Sequence, residues 1–235
     1  MKWLLTFLAL MFISSNAIAQ ARVTTVGLQI KPIFPIDFLE TGEKKFNSPL
    51  AEYSLKLNGG FSGGMVIRKG LSNLIAIETG INYVKRNYLY SIAHPNFQQK
   101  VNYRLIGYEI PVHAMIFIQT GEHIFMNASL GMAVDMFASN VVAATDSSIT
   151  FARRRATFQP ALNANVGAEY RTIGSGYWYL GATFHQPFNY SFANFVEYPR
   201  GAGVTDASIN VNGAFLTIDL RYYFNEAPQK RKKKK

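Results

Sequence analysis

The alternation of apolar and polar residues along this chain predicts β-strands, and the stretch 212–224 near its end shows it most clearly. One face of this stretch is apolar and ends in aromatic residues: Ala214, Leu216, Ile218, Leu220, Tyr222 and Phe224. The other face carries Gly213, Thr217, Asp219 and Arg221. Because successive side chains of a strand point to opposite faces, this period of two predicts a strand with one apolar face and one polar, charged face.

Seven earlier segments repeat the alternation, and they begin near Val23, Leu57, Ile75, Tyr103, Ile124, Phe158 and Trp178. Three connections are short and turn-like (69–73, 119–122 and 172–176), and four are long and polar (32–53, 87–101, 138–156 and 186–208). No segment has the apolar spacing of an amphipathic helix or the length of a helical membrane span. The pattern predicts an all-β fold: an eight-stranded antiparallel up-and-down transmembrane β-barrel with short periplasmic turns and long extracellular loops.

The apolar faces are expected to meet lipid, although a soluble lipocalin-type barrel would bury them instead. Charged residues make up only 16% of the chain, and the polar face is rich in Gly, Ser, Asn and Thr. Aromatic residues lie near the strand ends on the apolar side, as in the interfacial girdles of membrane barrels. Pro111, Pro160 and Pro187 cannot donate to a strand ladder, so bulges or strand ends are expected there.

Charges on the predicted inner face nearly cancel, which favours a paired network in the lumen. Its acidic members are Glu78, Glu109, Asp135, Glu169 and Asp219, and its basic members are Lys31, Arg68, Arg86, Arg171 and Arg221. An unpaired charge in a low-dielectric interior is costly, so each is expected to have a partner. A network of this kind fills the lumen and fixes the strand register; the alternative is a gated path for protons or ions.

The N-terminus predicts export. Lys2, the apolar run 3–13 and the small residues Ala17 and Ala19 are typical of a cleaved signal peptide over 1–19. The barrel domain is then expected over 20–224, and the basic tail 225–235 is expected to be disordered in the periplasm. Half of the formal charge of +10 comes from this tail, which holds six basic residues and Glu226. Export argues against a nucleic-acid partner, and the absence of cysteine excludes disulfides and thiolate metal sites.

Four short motifs resemble the small outer-membrane β-barrel proteins of the PorT-like, or outer-membrane-protein β-barrel, family. They are Gly80-Ile81-Asn82-Tyr83, Tyr108-Glu109-Ile110-Pro111-Val112, Gly167-Ala168-Glu169-Tyr170 and Leu220-Arg221-Tyr222-Tyr223-Phe224. The resemblance implies location in the outer membrane of a Gram-negative bacterium. It also implies that Gly213, Leu220, Tyr222 and Phe224 form a signal for the barrel-assembly machinery, although eleven residues follow Phe224. Family members mostly have no assigned activity, and a few are implicated in secretion or in surface binding.

Three functions are open from the sequence. The first is a non-enzymatic barrel, structural or partner-binding through its extracellular loops and accessory to secretion or surface assembly. The second is a narrow ion or solute channel. The third is a lipid A-modifying enzyme using His113 or His185, but both lie on the predicted inner face, away from lipid.

The expected partners follow from the first function. They are outer-membrane lipid and lipopolysaccharide, the barrel-assembly machinery, and an outer-membrane or periplasmic protein. Arg153, Arg154 and Arg155 offer guanidinium groups to lipid phosphates, or form a merely solvated basic loop. No phosphate loop, nucleophile elbow or metal-spaced histidine cluster is present, so no cofactor is expected.

Overall fold

The computed structural model describes residues 23–35, 42–48, 51–72, 74–95, 97–172, 174–198 and 207–225. The predicted signal peptide and all but the first residue of the basic tail lie outside these residues. The described residues form thirteen strands: β1 (Thr24–Phe34), β2 (Lys44–Asn47), β3 (Glu52–Gly70), β4 (Ile75–His94), β5 (Phe97–Gln119), β6 (Ile124–Phe137), β7 (Val141–Ala144), β8 (Ile149–Arg154), β9 (Phe158–Arg171), β10 (Tyr177–Pro187), β11 (Phe192–Glu197), β12 (Ala207–Val211) and β13 (Phe215–Tyr223). These segments offer no helix that would traverse a bilayer. The all-β prediction is confirmed.

The larger of two sheets is antiparallel, with the strand order β1-β13-β10-β9-β6-β5-β4-β3-β2. β1 pairs with β13 on one side and with β3 on the other, so the succession of pairings returns to its start. The sheet therefore has an enclosed inner face and an outer face. It contains nine strands where eight were predicted, because the four-residue β2 pairs with one end of β3.

Outside the segments predicted as long loops, the apolar residues of each long strand lie mainly on the outer face. Leu28, Val166 and Leu180 are each more than half exposed, at 53%, 55% and 61%. The charged half lies on the inner face, where Asp219 and Arg221 are buried. Ala214 departs from the predicted pattern: it is buried and precedes β13, in a break between strands.

The four segments predicted as long loops contain strands, which is a correction to the sequence reading. β2 lies within 32–53, the ends of β4 and β5 meet within 87–101, β7 and β8 lie within 138–156, and β11 lies within 186–208. In these parts the alternation continues but its phase is reversed. On β5, Ile106 and Ile116 face outward, whereas Tyr103 and Leu105 face inward and are buried. The apolar residues move from the outer to the inner face at the adjacent pair Leu105 and Ile106.

The second sheet continues one side of the first. Its order, β12-β11-β8-β7, matches the order β13-β10-β9-β6, and each strand is separated from its continuation by a short break at 212–214, 188–191, 155–157 or 138–140. Its inner face packs against the extended ends of β3, β4 and β5. Members of this apolar cluster from both sides include Leu55, Tyr88, Ile92, Tyr103, Leu105, Phe192, Val196, Ile209 and Val211. The enclosed space is thus closed at this end by an apolar core.

Pro111 and Pro160 lie within strands, so the expected bulges or strand ends are wrong for both. The β5–β6 register passes through Pro111 opposite Ala133, and the β6–β9 register passes through Pro160 opposite Val134. The Thr79 hydroxyl donates to the Pro111 carbonyl at 2.7 Å, beside the gap that this proline leaves in the β4–β5 pairing. Pro187 ends β10, as expected. The register shift of the β3–β4 pair lies elsewhere, between Leu57 and Gly60.

Candidate functional site: the charged interior

The structure places all ten residues of the predicted charge network on the inner face of the larger sheet. Nine are buried, and the side chain of Arg171 remains 16% exposed. They come from seven strands: β1 (Lys31), β3 (Arg68), β4 (Glu78, Arg86), β5 (Glu109), β6 (Asp135), β9 (Glu169, Arg171) and β13 (Asp219, Arg221). Side chains two residues apart on a strand point to the same face. Each charged residue is an even number of residues from the other inward residues of its strand, so all ten share the inner face.

Glu78 is the centre of the first cluster. Its carboxylate accepts hydrogen bonds from Arg68, with the Nη2 donor at 2.9 Å, and from the Tyr223 hydroxyl at 2.6 Å. It also pairs with Arg221, and Arg68 pairs in turn with Glu169. Strands β3, β4, β9 and β13 are therefore tied across the interior by charge-assisted hydrogen bonds, which are among the stronger kinds in proteins.

Two further arms extend this cluster. Arg171 pairs with Glu169 at 3.0 Å, and Arg221 pairs with Asp219 at 2.6 Å. Lys31 approaches Asp219 at 3.9 Å. Aromatic rings cover the guanidinium groups: Arg171 lies 3.7 Å from the ring centroid of Phe125, Arg68 lies 4.1 Å from that of Tyr223, and Arg221 lies 4.6 Å from that of Tyr179. The rings exclude water and add cation–π attraction.

His185 bridges the two acids of the second cluster. Its Nε2 lies 3.0 Å from Asp135, and its Nδ1 lies 2.7 Å from the Asn163 side-chain oxygen and 3.5 Å from Glu109. The Asn163 amide nitrogen donates to Glu109 at 2.6 Å, which fixes its oxygen toward the imidazole. Both ring nitrogens face acceptors, and this geometry suits an imidazolium, in which both nitrogens donate. In that form the ring supplies positive charge to the two carboxylates.

Arg86 stands apart from both clusters, at the level of the breaks. Its Nη1 donates to the Gly213 carbonyl at 2.9 Å, and its guanidinium lies over the rings of Phe137 and Phe215. Among the described residues it forms no ion pair within 4 Å. Gly213 has a φ of +88°, a conformation that glycine adopts without strain. Arg86 thus satisfies a carbonyl that the break removes from the ladder.

His113 is buried on β5, and the residues opposite it on the two neighbouring strands are Glu78 of β4 and Gly131 of β6. Neither of its ring nitrogens has a hydrogen-bond partner within the described part of the chain. In that same part, neither His113 nor His185 is hydrogen-bonded to a hydroxyl group, and no three His, Asp or Glu residues are placed to hold a metal ion. The two histidines are on the inner face, where the sequence placed them.

The three consecutive arginines have different surroundings. Arg154 donates to the carbonyls of Phe137 and Ala138, at 2.5 and 2.7 Å, and so caps the break between β6 and β7. Arg155 donates to the Asn210 side chain at 2.6 Å. Arg153 is exposed on the outer face of the second sheet. The residues of the expected assembly signal lie at or next to β13: Gly213 in the break, Leu220 and Phe224 exposed, and Tyr222 half-buried.

Sequence reasoning missed the polar and aromatic partners of the charges. Tyr223, Tyr179 and Asn163 were not predicted as site residues, although each has the inward phase of its strand. Tyr223 follows Arg221 by two residues, so its place on the same face was readable from the alternation. The pairing of His185 with acids from β5 and β6 was not readable, because it depends on strand register.

Comparison with known proteins gives a likeness of fold. No family model and no curated protein matches the chain, so the resemblance to the PorT-like group stays a prediction. The outer membrane protein OprG from Pseudomonas aeruginosa has a similar structure, with a TM-score of 0.58 and 10% sequence identity over 88% of this chain and 98% of that chain. The outer membrane protease OmpT from Escherichia coli matches with a TM-score of 0.31 and 10% identity over 86% and 96% of the two chains, and a score this low carries no argument. The chain thus has an all-β antiparallel fold similar to that of the outer-membrane β-barrel protein OprG.

Proposed function

We propose that this protein is a non-enzymatic eight-stranded β-barrel of the Gram-negative outer membrane, with a filled lumen and a closed extracellular end. Its role is then structural or partner-binding, through the surfaces of the second sheet and its connections, and accessory to secretion or surface assembly. The eight strands are β1, β3, β4, β5, β6, β9, β10 and β13. The circuit of pairings through them supports closure, which removes the sheet edges that lipid does not tolerate.

The reversal of apolar phase supports insertion in a membrane. The outer face is apolar along the part of each strand near the short turns, as it must be against hydrocarbon. Beyond Leu105 and Ile106 the outer face of β5 carries Arg104 and Lys100, and the apolar residues turn inward, as they do in water. Aromatic residues lie at both borders of the apolar band, with Tyr83 near Tyr108 at one and Trp178 near Tyr222 at the other. The short turns and the N-terminal end of β1 then face the periplasm.

The apolar core at the end of the enclosed space away from the short turns is the observation that supports the non-conducting function. Nineteen buried residues form one apolar cluster between the second sheet and the extensions of β3, β4 and β5. Below it, ion pairs join side chains of β3, β4, β9 and β13 across the interior. An apolar core of this size above a paired lumen argues against steady passage of ions.

Planar-bilayer recording tests the proposal against the channel alternative. Purified protein inserted in the bilayer is expected to give no stepwise conductance. Stepwise conductance that Glu109→Gln or Arg221→Gln abolishes would overturn it in favour of a narrow channel. Altered lipid A on overexpression, lost in His113→Ala or His185→Ala, would overturn it in favour of an enzyme.

A further inference from the structure

We propose that Arg153 and the apolar cleft beside it bind a phosphorylated glycolipid of the outer leaflet. The site lies on the outer face of the second sheet, which none of the proposed lumen functions uses. It rests on the proposed insertion of the barrel in an outer membrane, and it names one ligand for the extracellular surface.

Among the three consecutive arginines 153–155, Arg153 has a guanidinium that is available to bind a ligand. Arg154 is committed to the carbonyls of Phe137 and Ala138, and Arg155 reaches Asn210. Within the part of the chain that the structure describes, no hydrogen bond or ion pair engages the Arg153 side chain. A guanidinium binds phosphate through two parallel hydrogen bonds, which makes it the preferred side chain for this anion.

An apolar cleft of about 390 Å³ adjoins Arg153. Its walls are formed by Val142, Phe151 and Phe195, which face the same way because Phe151 pairs with both neighbours in the sheet. Val142 is 58% exposed and Phe151 is 42% exposed. The opposite face of this sheet already packs into the apolar core, so folding does not require this second apolar face. Exposed apolar surface of this kind marks an interaction site.

The order of groups along β8 and β9 matches the order of groups in such a lipid. Phe158, 61% exposed, is connected by strand pairing through Met136 to Tyr108, in the row of residues at the extracellular border of the apolar band. Arg153 precedes Phe158 by five residues, across the break at 155–157 and on the side away from the membrane, and Phe151 and the cleft lie beyond it. An acyl chain at Phe158 places the phosphate at Arg153. The first sugars then lie over the cleft, where the C–H faces of pyranose rings pack against aromatic rings.

Charge on the same face agrees with an anionic ligand near Arg153. Glu197 is the acidic residue of β11 on this face, and it lies four residues beyond Ala193, the strand partner of Arg153. Four residues of strand span about 13 Å, so Glu197 is at the far end of the cleft from the phosphate position. The end nearer the membrane is therefore cationic.

Lipid binding to the purified barrel tests the site, with rough lipopolysaccharide as the probe and its dephosphorylated form as the comparison. Bound lipid per barrel is measured by native mass spectrometry from mild detergent. Arg153→Gln is expected to weaken binding of the phosphorylated probe at least tenfold. Arg104→Gln, which removes an exposed arginine from the outer face of β5, is the matched control and is expected to leave binding unchanged. Phe151→Ser is expected to weaken binding of both probes.

The outcomes separate this site from the proposed function. Heat-modifiable gel mobility and insertion into liposomes are measured for each variant, and wild-type protein that does not insert contradicts both proposals. Wild-type protein that inserts, with equal binding by Arg153→Gln and Arg104→Gln, overturns the glycolipid site alone. Equal binding of phosphorylated and dephosphorylated probes, both lost in Phe151→Ser, assigns the cleft to an apolar ligand and also overturns it.

Discussion

Glu78→Gln is the substitution that most directly tests whether the interior charges hold the barrel together. The carboxylate is the shared acceptor of Arg68, Arg221 and Tyr223, and its side chain is 4% exposed. The amide keeps the volume of the side chain and one acceptor oxygen but removes the negative charge between two buried guanidinium groups. The perturbation is therefore electrostatic rather than a change of packing.

The expected loss in the free energy of unfolding depends on the ion pairs that Arg68 and Arg221 keep in the variant. Removing one partner of a buried ion pair costs about 3–5 kcal/mol. Arg68 keeps Glu169 and Arg221 keeps Asp219, so neither cation is left alone. We therefore expect the lower end, about 3 kcal/mol, which is a decrease of about 100-fold in the ratio of folded to unfolded protein.

Urea unfolding of the protein refolded in lipid vesicles measures this difference, followed by heat-modifiable gel mobility. Glu122→Gln is the control, because Glu122 is exposed in the turn before β6 and a surface substitution changes stability by at most about 0.5 kcal/mol. If the two variants unfold at the same urea concentration, Glu78 does not stabilise the barrel, and the structural role of the charge network is wrong.

Three further substitutions test the closed end and the outer face. Gly213→Ala is expected to destabilise the protein by about 1–3 kcal/mol, because a φ of +88° is strained for alanine. The added Cβ would also lie 2.7 Å from Arg86 Nη1. Gly121→Ala, whose Cβ would meet nothing closer than 3.8 Å, is the control in the same urea titration. Leu105→Ala is expected to cost about 2–5 kcal/mol by opening a cavity in the extracellular core, and retention of wild-type stability would show that this core is not packed. Val166→Arg is expected to cost about 2–4 kcal/mol in a bilayer, as a cation on the lipid face does near the midplane, and an unchanged unfolding curve would place this position outside hydrocarbon.

The sequence was sufficient to predict the two faces of each long strand. The side-chain period is two, so Ile77 and Glu78 fall on opposite faces wherever the strand begins or ends. The sequence also predicted which face points inward. Charged side chains are tolerated in a lumen only when opposite charges are present in similar number, and the charges on this face nearly cancel. These predictions depend on neighbouring residues alone.

The strands in the segments predicted as loops were missed because the alternation changes phase there. In β5 the inward residues Val101, Tyr103 and Leu105 are apolar, whereas between Ile106 and Ala114 the apolar residues are the outward ones. A search for one continuous apolar face ends at such a switch. The adjacent apolar pair Leu105 and Ile106 is the local signal, and in the proposed membrane barrel it marks the border between lipid and water.

The contacts between strands were beyond the sequence. His185 bridges Glu109 and Asp135, which belong to two other strands, and these residues meet through the registers of three strand pairs. The shared acceptor role of Glu78 depends on register in the same way. A shift of one residue in any pair would place these side chains on the outer face of the sheet. The charge network and the strand register therefore depend on each other.

Spin labels at introduced cysteines test the central claim, that hydrocarbon covers the outer face and the charged face is enclosed. The chain contains no cysteine, so Val166→Cys and Asn165→Cys each carry a single label on adjacent residues of β9. In lipid vesicles, the label at 166 is expected to collide often with oxygen and rarely with a water-soluble nickel chelate, while the label at 165 is shielded from both. Frequent collisions of the label at 166 with the nickel chelate would show that the apolar face meets water, and would contradict the account.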